Sequence, residues 1–177
     1  MTRTWRGRMR RGVMWAVVAL LLGGSTLGVQ GADSAAQVMP RVRSTNPAIA
    51  AAITEAQLRS STFRSLVRTI EDTDGIVYVE QGTCRHGVRA CLSLSVVSSG
   101  GFRWLRVFVA TAEDVVSLIA TIGHELCHAI EVLSQPGVRT ASDVYLFYVR
   151  EAATSRDVFE TPAAIRTAAA VARELGR

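Results

Sequence analysis

The chain has 177 residues, 49% of them apolar, which is enough to bury a core and too apolar for a disordered tail. Its 20 basic residues, all arginine, exceed its 15 acidic residues and give a formal charge of +5. Five of these (Arg3, Arg6, Arg8, Arg10, Arg11) fall in the first 31 residues, where there is no acid, so the remainder is formally neutral. The basicity belongs to a terminal segment and not to a binding face, which argues against a nucleic-acid partner.

Residues 1–31 have the layout of an export signal: arginines, the apolar run Val13–Leu22, then small residues up to Val29-Gln30-Gly31. The apolar run is short for a bilayer span, which needs about 20 residues. Membrane attachment is therefore expected only if the signal stays uncleaved, and the mature protein is expected in the periplasm or secreted. Residues 32–46, small and polar, read as a flexible leader, and residues 47–177 as a single domain.

Apolar residues from Ile49 to Ile70 recur at helical spacing, which predicts a helix from Pro47 to Ile70. Asp72-Thr73-Asp74-Gly75 ends it. Ile76–Glu80, Ala90–Val97 and Phe102–Ala110 read as strands, giving a small antiparallel sheet of about three strands. Cys84 and Cys91 bracket the loop between the first two, and outside the cytoplasm such a pair predicts a disulfide clamp. A metal knot using His86 would lack a fourth ligand. Thr111-Ala112-Glu113-Asp114 resembles a capping box opening a helix that runs to about Ser134. A further helix is expected over about 142–153, and Thr161-Pro162 starts an alanine-rich last one. The fold class is α+β.

His124-Glu125-Leu126-Cys127-His128 is an HExxH sequence. Four residues make about one helical turn, so both imidazoles project from one face and can share a zinc ion. Glu125 lies beside them, placed to act as general base on a zinc-bound water. At 100° per residue, Val115, Leu118, Ile119, Ile122, Leu126, Ala129 and Leu133 form a core stripe, and the motif lies on a separate polar arc. Cys127 falls on neither arc and reads as a buried thiol.

Catalytic zinc takes three protein ligands and leaves a fourth position open. Glu131 continues the polar arc, but three ligands from one straight helix would spread over about 10 Å. It is better placed to orient His128 from outside the ligand set. Glu151 lies among Val144, Phe147 and Tyr148, an acid on an apolar stripe, and Glu160 precedes the capped start of the last helix. Glu174, near the terminus, reads as solvated.

The motif resembles the zincin metallopeptidases, in their glutamate-ligand branch. More narrowly, His124 to Glu131, with Phe159-Glu160-Thr161 and a closing alanine-rich helix, is similar to small exported bacterial HExxH proteins. The resemblance covers the last 70 or so residues and favours Glu160 as third ligand, with Glu151 the alternative. It implies a minimal zincin-like fold and a zinc-dependent hydrolase acting on peptide or protein substrates. Phe102–Ala110 would be the edge strand along which substrate lies. Tyr145, Tyr148 and His86 are candidates for a second oxyanion donor. The competing expectation is an inactive zincin-like module that binds zinc or an envelope partner.

Overall fold

The computed structural model describes residues 39–111, 114–151 and 160–176; within these spans the side chains of His86 and Glu151 are not described. The export signal and residues 32–38 of the leader lie outside those residues. The fold is α+β, with five helices and a five-stranded mixed sheet among the described residues.

The strands are β1 (Val42–Arg43), β2 (Gly75–Gln81), β3 (Ala90–Leu92), β4 (Val97–Ser99) and β5 (Phe102–Val109). The expected three-stranded antiparallel meander is corrected in three respects. First, β1, in the stretch assigned to the leader, pairs parallel with β2. Second, β5 inserts beside β2 and runs parallel to it, from Gly75 opposite Arg103 to Gln81 opposite Val109. Third, Ala90–Val97 is broken, and β3 and β4 both pair antiparallel with β5 on its far side. Burial explains this order. Val77 and Val79 of β2 and Leu105, Val107 and Val109 of β5 are wholly buried, whereas the serine-rich stretch carrying β3 and β4 suits an edge. Gly100 and Gly101, with φ of 60° and 82°, make the two-residue turn between β4 and β5, a conformation that favours glycine at both positions. The strand expected at the edge is therefore interior, and β3 forms the edge.

Five helices complete the fold: α1 (Pro47–Arg59), α2 (Ser61–Glu71), α3 (Val115–Leu133), α4 (Ala141–Glu151) and α5 (Pro162–Leu175). The single N-terminal helix predicted from Pro47 to Ile70 is two, because Ser60 interrupts it. The Ser60 amide closes α1 on the Ala56 carbonyl at 2.8 Å, and its hydroxyl opens α2 by accepting the Phe63 amide at 3.0 Å. The cap of α3 is Asp114, which accepts the Ser117 amide at 3.0 Å; the rest of the expected capping box includes residues that are not described.

The outer face of the sheet carries Phe102, Trp104, Arg106 and Phe108, exposed or half-buried, with Arg41 over Phe102 and Arg43 over Tyr78. The inner face packs on the helices. The α3 helix is buried on both sides, against β5, α1 and α2 on one and α5 on the other, so its polar arc is buried rather than solvated. Val115, placed on the core stripe, is exposed. Gly123 is the point of closest approach to α5: a Cβ there would meet Val171 Cγ2 at 3.2 Å.

Candidate metal centre

The motif is helical, as its spacing requires. His124 and His128 sit one turn apart in α3, and their Nε2 atoms approach to 3.2 Å. Glu160, one residue before the cap of α5, brings Oε2 to 3.3 Å from His124 Nε2. The three donor atoms lie within 4.8 Å of one another. A tetrahedral site with bonds of about 2.0–2.1 Å has edges of about 3.3–3.4 Å. Two of the three edges already have that length.

The second nitrogen of His128 is occupied: Nδ1 is 2.8 Å from Glu131 Oε2. The Ala164 backbone lies beside the His124 ring and favours its charged form. A neutral imidazole that donates from Nδ1 presents a lone pair at Nε2. In that tautomer two lone pairs and a carboxylate oxygen converge, so these residues can hold a cation with nitrogen and oxygen preference.

Charge and burial act on each group. Burial, then the neighbouring His128, lowers the pKa of His124, with Glu160 opposing. Burial also works against a charged His128, but the Glu131 hydrogen bond and the surrounding carboxylates outweigh it and raise its pKa. For Glu131, burial is outweighed by the hydrogen bonds from His128 and Thr161, and its pKa is lowered. Glu125 is 5% exposed, and burial pushes its carboxyl up to about 7 despite His128 and the Leu92 amide.

A cleft of about 530 Å3 opens onto these groups, lined by Glu125, His128 and Glu160 and by Leu92, Leu94 and Phe108. Cys84 and Cys91 line it too and form a disulfide, with Cα atoms 6.0 Å apart. In the β3–β5 ladder the Ser93 amide bonds to Arg106, so the amide of the alternate residue Leu92 points away from β5, on the side where it favours the ionised form of Glu125.

Of the other sequence candidates, Tyr148 is 2% exposed, and its hydroxyl donates to the His128 carbonyl at 3.1 Å. Its ring meets the His128 imidazole edge-on. It braces His128 and also lines the cleft with Glu125 and Glu160. Tyr145 is exposed and not among the residues lining the cleft. The Glu151 carboxylate, the alternative third ligand, and the His86 ring are among the side chains not described. Cys127 is half-buried beside Thr167 of α5, not a fully buried core thiol. Glu174 is not free in solvent: it accepts from Ser60, Ser61 and Thr62 at the start of α2. Sequence reasoning missed Thr161 and the backbone groups of Leu92 and Ala164. Only Thr161 left a trace, as the cap before Pro162.

Compared with protein-family models, curated proteins and solved structures, the chain matches none.

Proposed function

We propose that this chain is a zinc-dependent hydrolase, most consistent with a metallopeptidase of zincin type, in which His124, His128 and Glu160 hold the metal. One observation carries the reading: two imidazole nitrogens and a carboxylate oxygen lie within 4.8 Å of one another, beside a buried glutamate on the wall of a cleft. Zinc bound there would supply Lewis acidity, making a water more acidic and polarising a carbonyl.

The rest is the work of the chain. Glu131 holds the His128 ring at Nδ1, which turns its Nε2 toward His124. Tyr148 fixes the His128 backbone. Glu125 accepts a proton from the attacking water and returns it to the leaving amine. Its burial raises its proton affinity, and the Leu92 amide keeps its carboxylate at the cleft wall. The outward backbone of β3 offers an edge on which an extended peptide can pair. The Cys84–Cys91 bond accords with an oxidising compartment, as the proposed export to the periplasm or medium requires.

The test is metal analysis joined to library cleavage. Wild type is expected to hold zinc near one equivalent and to cleave peptides. Glu125→Gln should keep the zinc and lose cleavage. Absence of zinc would remove the proposal, and equal cleavage by Glu125→Gln would remove the base. Zinc without cleavage by wild type would favour the inactive binding module.

A further inference from the structure

We propose that Thr161 is a positioning residue for the metal centre, acting on His128 through Glu131; this rests on the zinc reading above. The start of α5 meets α3 at three points. Glu160 lies beside His124, Thr161 against Glu131, and the Ala164 backbone at the His124 ring. Thr161 is buried, and its hydroxyl is used in both directions. It accepts the Ala164 amide at 3.2 Å, which caps α5, and it donates to Glu131 Oε1 at 2.6 Å.

A hydroxyl has one proton to give, and here Glu131 receives it. The other Glu131 oxygen is 2.8 Å from His128 Nδ1. A carboxylate held at one oxygen can still swing about its side-chain torsions. Held at both, it has a fixed plane and a fixed acceptor for the His128 Nδ1 proton. That proton placement is what leaves His128 Nε2 bare for a cation. Were Glu131 to turn away, the ring could carry its proton on Nε2 and the site would lose a ligand. Cap, relay and ligand thus occupy two consecutive residues, and docking of α5 delivers all three together.

The full chain, with zinc itself as probe in competition with a chelator, tests this. Thr161→Val should raise the zinc Kd roughly 10- to 100-fold, and Thr161→Ser should restore it. Thr161→Asp, which caps a helix but has no proton to give, should also bind zinc more weakly. In a Glu131→Ala background, Thr161→Val should add nothing to the Kd while still lowering the Tm through the lost cap. Nitrogen NMR of the metal-free protein should show His128 protonated on Nδ1 in wild type and Thr161→Ser, and partly on Nε2 in Thr161→Val. An unchanged Kd in Thr161→Asp, or fully additive losses in the double variant, would overturn the proposal and leave Thr161 a cap. If wild type takes up no zinc, the hydrolase reading fails on its own, and the His128 proton position still decides the role of Thr161.

Discussion

Two charged clusters lie against α3, each pairing a buried member with a part-exposed acid, and they are built in opposite ways. At its C-terminal end Arg103, 2% exposed, is a cation with every direction filled. It holds Asp74 through Nε and Nη2 at 2.6–3.0 Å and donates to the carbonyls of Val132, Leu133, Gln135 and Val138 at 2.6–3.2 Å. Val132 and Leu133 form the C-terminal end of α3, where helix carbonyls run out of intrahelical donors, and Gln135 and Val138 belong to the turn that follows, so one guanidinium ties the helix end to its turn and neutralises an acid together. The hydrogen bond from Arg103 also holds the Asp74 carboxyl below its usual range, despite burial. In the middle of α3 the reverse holds: His124, His128 and Glu160 bring two ring nitrogens and a carboxylate oxygen within 4.8 Å of one another, with no lysine or arginine paired to them among the described contacts. The first cluster carries its own cation. The second could take one from outside.

The strongest way to break this contrast is to remove one member from each cluster. Arg103→Leu takes the guanidinium from the part-exposed Asp74 carboxylate and from the Leu133 and Val138 carbonyls, while backbone amides still reach Val132 and Gln135, and should cost about 2–4 kcal/mol in urea unfolding. Its response to zinc should be intact: at a thousand times the Kd, zinc should add about 4 kcal/mol to this variant and to wild type alike. His128→Ala should gain nothing from zinc. If zinc stabilised all three equally, the metal would be binding elsewhere.

Glu125 gives the next largest effect. Its carboxyl is raised by burial, from an ordinary value of 4.5 to about 7 in the metal-free fold. The folded state then prefers the protonated acid more than the unfolded chain does. The resulting stability is fully present below pH 4.5 and is lost as pH climbs to about 7. The full shift corresponds to at most about 3 kcal/mol. Metal-free wild type should therefore lose Tm across that window relative to Glu125→Gln, in which only the histidine contributions remain. Zinc should reduce the slope in wild type, because a nearby cation favours the carboxylate. A slope of equal size in Glu125→Gln would assign the effect to other groups.

Much of the site was legible in the sequence, for reasons that its residues make plain. A four-residue spacing in a helix settles which way His124 and His128 point, so local geometry sufficed. The strand order was not legible. The sequence marks β2 and β5 as apolar but does not say that β5 slips between β2 and β3, because that choice depends on how much of each strand is buried. Ser60 read as one residue in a continuous helical pattern, and its double capping role depends on the approach of Glu174 from 114 residues away. Thr161 was visible as a cap and invisible as a donor, since Glu131 is 30 residues earlier. The Leu92 amide belongs to no side chain and leaves no sequence mark at all.

The smallest effect sharpens the comparison by setting two carboxylates, at opposite ends of α5, against each other. Glu160, at the start, accepts from no hydroxyl or amide among the described contacts and faces two imidazoles. Glu174, near the end, is saturated: it accepts the Ser60, Ser61 and Thr62 hydroxyls at 2.6–3.0 Å and the Thr62 amide at 3.0 Å. The Ser60 hydrogen bond is the main cause holding its carboxyl down to about 2, with the N-terminus of α2 adding to it. Here the folded state prefers the ionised form, so the stabilisation is present above pH 4.5 and is lost as pH falls toward 2. Because the group lies near solvent, screening reduces what it contributes to roughly 1–2 kcal/mol. Glu174→Gln should remove that amount at pH 7, remove little at pH 2–3, and leave the zinc Kd unchanged. Glu160→Gln should do the opposite, sparing metal-free stability and weakening zinc. A loss of zinc affinity in Glu174→Gln as large as that in Glu160→Gln would mean that α5 transmits strain along its whole length, and that the two ends are not separate devices.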